Sequence, residues 1–211
     1  MKRLACDSSA LRETTALQII GLTGGIGMGK STVAAAFRRA RIPVFDADAA
    51  VHALQQPGGR ALGAIEAAFP GTVRDHALDR SALRAAVLGK PEALRRLERI
   101  LHPMVRAAEK RFLARARAAG ARAVVLDVPL LLETGGQKRV DFVLVVSAPR
   151  AVQVHRVRGR RRMDPAQIDA VIARQMPDRE KRRLADVVVR TGLSRHHALR
   201  TIRRLIRDLL T

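Results

Sequence analysis

The feature that most constrains the fold of this chain is a glycine-rich segment near its N-terminal end. Residues 24–31 read GGIGMGKS, which matches the pattern G-x-x-x-x-G-K followed by Ser or Thr. Glycine tolerates positive φ and lets the backbone approach an anion, so that successive N–H groups can surround a phosphate at the N-terminus of the following helix. The segment therefore predicts a phosphate-binding loop (P-loop) between a strand and a helix.

The residue types in this loop predict which part of a nucleoside triphosphate each residue contacts. Lys30 is expected to bridge oxygens of the β- and γ-phosphates as a catalytic residue, because negative charge accumulates there during phosphoryl transfer. The Ser31 hydroxyl is placed to ligate Mg²⁺, and Thr32 to reach the α-phosphate. ATP and Mg²⁺ are therefore the expected cofactors, and the predicted ATP-binding residues of the loop are Gly25, Gly27, Met28, Gly29, Lys30, Ser31 and Thr32. The guanine-specifying pattern N-K-x-D is absent from the sequence, which argues against a GTPase.

Short apolar runs on both sides of the loop predict a parallel α/β sheet flanked by helices. The five candidate strands are residues 18–23, 44–45, 123–128, 142–146 and 187–189. Residues 31–40 and 194–210 have helical patterns, and the second of these is amphipathic. The strand–loop–helix–strand order at the start of the chain is typical of a P-loop NTPase fold.

Two helical insertions interrupt this sheet. Residues 49–120 contain no convincing strand, and their helices are expected to stop at proline-containing pairs, the last being His102-Pro103. Residues 150–185 are rich in arginine, with expected breaks at Asp164-Pro165 and Pro177. The pattern predicts one domain that carries two insertions.

Cysteine content and hydropathy indicate the compartment. Cys6 is the single cysteine, so an internal disulfide is excluded and a reducing compartment is favoured. The N-terminal residues lack the apolar run of a secretory signal, and no stretch of 18 apolar residues predicts a membrane span. We expect a cytoplasmic protein without a membrane partner.

The net charge of +21, from 40 Lys and Arg against 19 Asp and Glu, raises the question of a nucleic-acid partner. The basic residues are spread along the chain, and aromatic side chains for base stacking are scarce, with five Phe and no Trp or Tyr. We therefore expect polyanionic small molecules as partners and no specific nucleic acid. A nucleic-acid-binding ATPase is the alternative that the charge alone supports.

Beyond the P-loop, several segments in the same order resemble dephospho-CoA kinases, across about residues 18–205. They are IGLTGGIG (20–27), PVFDAD (43–48), LHP (101–103), DVPLLLE (127–133) and the later residues Gln175, Lys181 and Ala185-Asp186. The P-loop alone is generic, but the combination is specific. Another small-molecule or nucleotide kinase of the same fold is the alternative enzyme.

The resemblance implies a fold like that of the adenylate kinases, with a five-stranded parallel core. It implies a kinase domain over residues 17–211, with a helical substrate lobe at about 58–120 and a lid at about 150–185. The implied reaction transfers the γ-phosphate of ATP to the ribose 3′-hydroxyl of dephospho-CoA. We expect a monomer or weak oligomer, and we expect residues 1–16, which have no family counterpart, to be disordered or an extra segment.

Asp48 is assigned as the general base and as a substrate contact. It follows the second strand, at the edge where open α/β sheets bind ligands, and a carboxylate there can accept the proton of the acceptor hydroxyl. Asp46 is the competing candidate. Either carboxylate also suits the alternative of capping the helix that begins near Ala49.

Three further residues are candidates for roles in the site. Asp127 closes an apolar strand and is assigned to Mg²⁺ through water or, alternatively, to a turn or cap. His102 precedes a proline, which biases it toward an extended backbone, and it is assigned to shaping the acceptor site. Glu133 is assigned to a hydrogen bond with the acceptor or to an ion pair with an arginine.

Arg156 and Arg160 are the candidate phosphate clamps of the lid, because a guanidinium can grip phosphate oxygens with two hydrogen bonds. The chain also departs from the family pattern at two places. Met28 stands where the family usually has Ser, and its backbone N–H is still expected to face the phosphate. Arg190-Thr191 replaces the usual Asp-Asn, which puts the family's contact near the adenine in doubt.

Overall fold

A computed structural model describes residues 16–161 and 164–210 of the chain. These residues form two compact units, one from Asp46–Arg115 and the other from the described residues on either side of it. We call them the helical lobe and the sheet unit. The lobe begins earlier than the predicted residue 58, because Val51 and Leu54 pack into its core. Cys6 and the N-terminal segment up to residue 15 lie outside the described residues.

Strands and helices are numbered in chain order. The strands are β1 (Gln18–Thr23), β2 (Val44–Asp46), β3 (Val73–Arg74), β4 (Ala77–Leu78), β5 (Ala123–Asp127), β6 (Phe142–Ser147) and β7 (Val187–Arg190). The helices are α1 (Lys30–Arg39), α2 (Ala47–Leu54), α3 (Leu62–Ala68), α4 (Arg80–Val87), α5 (Pro91–Ala118), α6 (Arg150–Arg161), α7 (Pro165–Ala173), α8 (Asp178–Arg183) and α9 (Arg195–Leu210).

The sheet unit is built on a five-stranded sheet with the order β2-β5-β1-β6-β7, which confirms the predicted core. β1 lies at the centre and runs parallel to β5 and β6, and β6 runs parallel to β7. The register pairs Leu22 with Asp127 and Thr23 with Val145. The carboxyl ends of β1 and β5 therefore reach the same edge of the sheet, where the P-loop begins.

Different elements cover the two faces of the sheet, because alternate residues of a strand face opposite sides. Leu144 and Val146 of β6 belong to the core that includes α1 and α9. Val143 and Val145 of the same strand pack instead with Leu132, in the segment after β5. The sheet is thus buried on both faces, as its continuous apolar runs predict.

The breaks predicted within the arginine-rich insertion are confirmed. Asp164 caps α7 by accepting a hydrogen bond from the N–H of Gln167 at 2.8 Å, and Pro177 occupies the cap position before α8. Among the described residues, no helix combines the length and apolar character needed to cross a membrane.

The helical lobe contains a two-stranded hairpin that the sequence pattern did not predict. β3 and β4 pair antiparallel over two residues each, and the intervening Asp75 and His76 have φ of 49° and 59°. Two successive positive φ values are typical of a tight type I′ turn, which is usually signalled by Asn-Gly. The Glu66 carboxylate accepts hydrogen bonds from the N–H groups of Gly71 and Val73 at 2.7 and 2.6 Å, and these bonds lower its pKa. These bonds span five and seven residues, and no established sequence pattern announces them.

The expected helix stop at His102-Pro103 is wrong, because α5 runs through both residues without interruption. A proline inside a helix lacks one hydrogen bond and crowds the preceding turn, at a cost of about 3 kcal/mol. On either side of Pro103, however, Leu97 and Leu101 are buried and Met104 packs against the lobe core. Burial of each such side chain contributes roughly 1.5–3 kcal/mol, so the packing of the apolar face outweighs the proline. His102 is consequently helical and exposed rather than extended.

Replacing Pro103 by alanine should therefore stabilise the lobe. The proline side chain is exposed, so little packing is lost, while alanine restores the N–H donor and relieves the crowding. Part of the gain is offset because proline also restricts the unfolded chain, and we expect the free energy of unfolding to rise by about 1–2 kcal/mol. Urea denaturation followed by circular dichroism measures the change, with His102→Ala at the neighbouring exposed position as control. Unchanged or lower stability of Pro103→Ala would contradict this account of α5.

Candidate active site

The P-loop connects β1 to α1. Several of its positions need glycine, either because the backbone φ is positive or because a Cβ would collide with a neighbouring atom. Gly27 and Gly29 have φ of 73° and 93°, in the region that side chains disfavour. A Cβ on Gly27 would lie 2.7 Å from Cγ2 of Val157, because α6 packs directly on the loop. A Cβ on Gly24 would lie 2.7 Å from the carbonyl oxygen of Val146 in β6. These positions have no room for a side chain.

Several backbone N–H groups of the loop and of the first turn of α1 have no partner within the part of the chain that the structure describes. They include those of Gly25, Gly27, Gly29, Lys30 and Ser31. Unpaired N–H groups at a helix N-terminus present partial positive charge to an anion. This arrangement supports the predicted phosphate site.

The N–H of Met28 is bonded within the loop, and its expected contact with the phosphate stays a prediction. It donates to the carbonyl oxygen of Gly25 at 3.2 Å and closes the loop on itself. The left-handed φ of Gly27 turns the chain back, so that these two groups meet. The Met28 side chain is 4% exposed, and its Sδ lies 3.0 Å from the N–H of Ala148. Methionine at this position therefore anchors the loop to the segment after β6.

Lys30, the first residue of α1, forms an ion pair with Asp127 through Nζ and Oδ1. Asp127 is the last residue of β5 and is 4% exposed. The register of β5 with β1 brings this carboxylate to the edge of the sheet at which the P-loop starts. The ion pair favours a charged role for Asp127 over the alternative of a turn or cap.

Arg156 is held on the outer side of the P-loop. Its guanidinium donates to the carbonyl oxygens of Gly27 and Met28 at 3.4 and 3.5 Å and to two oxygens of Thr191 at 2.8 and 3.0 Å. Thr191 Oγ1 in turn donates to the Met28 carbonyl oxygen at 2.5 Å. The observed contacts of Arg156 are therefore with Thr191 and with the loop backbone, and a direct phosphate contact stays a prediction. The side chain of Arg160 lies outside the described residues.

Two glutamine side chains form hydrogen bonds with the backbone of Ile26 in the P-loop. Gln153 on α6 donates from Nε2 to the carbonyl oxygen of Ile26 at 2.8 Å. Gln175, after the end of α7, accepts from the N–H of Ile26 at 3.0 Å through Oε1. Sequence reasoning assigned Gln153 no role and quoted Gln175 only as part of a resemblance. Their contacts are long-range in sequence and have no local signal.

A cavity of about 440 Å³ opens beside the P-loop within the sheet unit, and Gly25 and Met28 form part of its wall. We call it the P-loop cavity. Its size is in the range of small-molecule sites. Its charged lining residues are Arg150, Arg179, Lys181, Arg182 and Asp178. The excess of positive charge suits a polyphosphate ligand.

Glu133 makes contacts within the chain that favour the ion-pair alternative over binding of the acceptor. Its Oε1 lies 2.7 Å from Nζ of Lys181 and accepts a hydrogen bond from the N–H of Met176 at 3.1 Å. Lys181 is 1% exposed. The partner is thus a buried lysine rather than the expected arginine. Lys181 is the residue of α8 whose side chain is buried.

Asp46 and Asp48 have different environments at the start of α2. Asp46 is the N-cap, and its Oδ1 accepts from the N–H of Ala49 at 2.9 Å. Asp48 lies in the first turn and is exposed. The capping alternative therefore applies to Asp46, and Asp48 is left available for another role.

Within the helical lobe, Asp48 lines a second cavity of about 480 Å³, which we call the lobe cavity. One face of α2 and one face of α4 line this cavity, with spacings of three and four residues along each helix. The residues from α2 and its C-cap are Asp48, Val51, His52 and Gln55, and those from α4 are Arg80, Leu83, Arg84 and Val87. Arg80 lies 2.6 Å from Nδ1 of His52. Since arginine only donates, Nδ1 accepts and the imidazole carries its proton on Nε2. His102 is not among the residues that line this cavity.

Comparisons with known proteins match this arrangement. A sequence profile described as dephospho-CoA kinase matches residues 18–195. The dephospho-CoA kinase of Gluconobacter oxydans is 53% identical over 197 residues, covering 92% of this chain and 98% of that protein. The dephospho-CoA kinase of Paramagnetospirillum magneticum is 60% identical over 166 residues, covering 79% of this chain and 78% of that protein.

A solved structure has the same fold. The crystal structure of TT1252 from Thermus thermophilus superposes with a TM-score of 0.82 at 36% identity, covering 92% of this chain and 98% of that one. The profile match extends from β1 through the P-loop, both insertions and β7, over most of the chain. By sequence and by the order of its site elements, this chain belongs to the dephospho-CoA kinase family.

Proposed function

We propose that this protein transfers the γ-phosphate of ATP to the ribose 3′-hydroxyl of dephospho-CoA, which gives coenzyme A and ADP in the final step of coenzyme A synthesis. The observation that carries the proposal is the set of unpaired N–H groups at the start of α1, together with Lys30 at the carboxyl edge of the sheet. This geometry supports ATP as the donor. Family membership supports dephospho-CoA as the acceptor.

The P-loop binds the phosphates of the donor. The N–H groups at the start of α1 hold phosphate oxygens, and Lys30 places its ammonium where negative charge grows on the transferring group. Asp127 holds the lysine Nζ at the carboxyl edge of the sheet through their ion pair. The donors are oriented before ATP arrives, so little reorganisation is needed during transfer.

The residues present fit a Mg²⁺ ion bound together with the nucleotide. Ser31 has an exposed hydroxyl in the first turn of α1, and Asp127 supplies a carboxylate at the end of the neighbouring strand. Mg²⁺ prefers one or two protein oxygens, with phosphate oxygens and water completing its shell. Ser31 would hold the ion directly and Asp127 through water. When bound, Mg²⁺ supplies neutralisation of charge on the β- and γ-phosphate oxygens.

Asp48 acts as the general base. Its carboxylate takes the proton of the 3′-hydroxyl while the 3′-oxygen forms a bond to the γ-phosphorus. The bond from the γ-phosphorus to the bridging oxygen breaks, and its electron pair leaves with ADP. Two observations support this assignment: Asp46 is used as a cap, and Asp48 lines the lobe cavity, which is the candidate site for the acceptor.

The substrates are small molecules, and we assign the basic character of the chain to their phosphates rather than to a nucleic acid. A cytoplasmic location is in keeping with the single cysteine and with this substrate class. His102 does not line the lobe cavity, so nothing observed supports its predicted role in shaping the acceptor site. Glu133 is assigned to the ion pair with Lys181.

A transfer assay with a panel of acceptors tests the function. The purified protein, ATP and Mg²⁺ should phosphorylate dephospho-CoA in preference to adenosine, AMP and shikimate, and mass spectrometry of the product locates the added phosphate. The activity should persist at about 0.2 M salt and be unaffected by duplex DNA, since diffuse binding to DNA weakens steeply as salt rises. Efficient transfer to another acceptor, or ATP hydrolysis that requires DNA, would overturn the proposal.

Changing Lys30 to methionine should lower kcat for transfer strongly while the fold is kept. Methionine retains the stem length but removes the charge at the transferring phosphoryl group, and loss of one such electrostatic contact costs about 10²–10³-fold in kcat. Initial rates measure the effect, and circular dichroism checks the fold. Lys110→Met, at an exposed position of α5, is the matched control. Wild-type turnover of Lys30→Met would show that the phosphate site lies elsewhere.

Changing Asp48 to asparagine should lower kcat far more than it raises either KM. Asparagine keeps the size and hydrogen bonding of the side chain but cannot take the proton, and loss of a general base costs about 10²–10⁴-fold. Asp46→Asn is the matched control, because asparagine also caps helices well and should leave kcat nearly unchanged. If the two variants exchange these phenotypes, Asp46 is the base; if only KM changes for Asp48→Asn, its role is binding.

A further inference from the structure

The Ile26 peptide groups are held from two separate elements. The Nε2 of Gln153 donates to the Ile26 carbonyl oxygen at 2.8 Å, and the Oε1 of Gln175 accepts from the Ile26 N–H at 3.0 Å. Because a carbonyl can only accept and an N–H can only donate, the two side-chain amides must be oriented in this way. We call these three residues the glutamine clamp.

The clamp controls the direction of the neighbouring peptide groups. A peptide bond is planar, and its C=O and N–H point in opposite directions. The C=O of Ile26 and the N–H of Gly27 belong to one peptide plane, so Gln153 turns the Gly27 N–H away from itself and toward the phosphate site. The N–H of Ile26 and the C=O of Gly25 belong to the preceding plane, so Gln175 turns that carbonyl toward the N–H of Met28, which it accepts at 3.2 Å.

Both glutamines are close to the loop backbone and well fixed. Gln153 is 4% exposed and lies on α6, one turn before Val157, which also contacts the loop. A Cβ on Gly25 would lie 3.2 Å from Oε1 of Gln175 and 3.3 Å from Nε2 of Gln153. The absence of a side chain at Gly25 is therefore what gives both amides access to Ile26.

The segment that carries Gln175 is itself tied down. We call residues 175–181 the strap. The N–H of Met176 and the ammonium of Lys181 both contact Oε1 of Glu133, and Asp178 accepts from Ser147 Oγ at 2.9 Å. The strap thus joins the segment after β5 and the end of β6 to the P-loop.

The ion pair between Lys181 and Glu133 in the strap carries a large desolvation penalty, because both charges are removed from water. Lys181 is 1% exposed, and within the described residues both its Nζ and Oε2 of Glu133 are buried without a hydrogen bond of good geometry. Buried ion pairs add little net stability compared with apolar side chains of the same size, but they specify one arrangement. The pair is suited to fixing the position of the strap rather than to strengthening the fold.

We propose that Gln175 is a positioning residue for phosphoryl transfer, which acts by holding the Ile26 peptide so that the P-loop N–H groups are aimed at the phosphates before ATP binds. Gln153 is its counterpart on the carbonyl side, and the Glu133–Lys181 pair keeps Gln175 in place. The inference rests on the proposed function, since the step that Gln175 assists is the transfer from ATP. Both glutamines also line the P-loop cavity, and the inference assigns them to the loop backbone rather than to the ligand.

Two variants of Gln175 separate positioning from other roles. Gln175→Met has a similar length but no acceptor for the Ile26 N–H, and we expect kcat to fall about 10–100-fold, as is typical when reacting groups are misplaced. Gln175→Glu keeps the acceptor but brings a negative charge near the phosphates, so kcat should stay within about threefold of the wild type while KM for ATP rises. Both variants should keep the wild-type melting temperature, and Gln56→Met at an exposed position of the lobe is the matched control.

A double variant tests whether the two glutamines act on the same peptide. Gln153→Met alone should lower kcat about as much as Gln175→Met, and the combination should lower it by much less than the product of the two effects, because either change already frees Ile26. ADP binding by calorimetry gives a second readout that does not depend on the acceptor, and Gln175→Met should weaken it.

The outcomes distinguish this inference from the proposed function. If the wild type does not phosphorylate dephospho-CoA, the proposed function fails, and the ADP measurement still tests the clamp. If the wild type is active and Gln175→Met equals it in kcat and ADP affinity, Gln175 does not position the loop. If Gln175→Glu loses more kcat than Gln175→Met, the amide touches the phosphate itself. Parallel losses of melting temperature and activity in both variants would reduce the clamp to a structural contact.

Discussion

A loop that aims several N–H groups at one anion must turn its carbonyl groups the other way, and buried carbonyls need donors. In this protein the donors come from outside the loop: Gln153 and Arg156 on α6 and Thr191 after β7. The packing of α6 on the loop, where a Cβ on Gly27 would collide with Val157, brings two of these donors within reach. In this structure the first half of the arginine-rich insertion therefore supports the P-loop, and its expected role as a lid stays a prediction.

Charge is arranged around the same edge of the sheet. Lys30 pairs with Asp127 at the ends of α1 and β5, and Lys181 pairs with Glu133 in the strap. Asp127 and Lys181, one partner of each pair, are nearly inaccessible to water, and Coulomb interactions at such sites are stronger than at the surface. In the proposed function the first pair acts at the phosphates, whereas the second ties down the segment that carries Gln175.

Much of this arrangement follows from sequence, because it depends on local pattern. The P-loop, the five strands of the sheet and the cap before α7 each have a signal within a few residues. The hairpin at Asp75-His76 lacks the usual turn residues, and the continuity of α5 through Pro103 depends on the burial of Leu97 and Leu101, which only the folded lobe reveals. The candidate site divides in the same way. Lys30 and Ser31 are recognisable from the motif, whereas the role of Gln175 depends on a partner 149 residues away.

The dependence of the P-loop on donors from α6 and from the segment after β7 also limits its portability. An eight-residue motif grafted into another strand–helix junction would bring its glycines and its lysine, but it would leave the outward carbonyls of Ile26, Gly27 and Met28 without the side chains that satisfy them here. The transplanted segment would relax toward conformations in which those carbonyls reach solvent, and the N–H groups would no longer converge. The smallest transferable module in this protein is therefore discontinuous, consisting of the motif together with its distant supporting side chains.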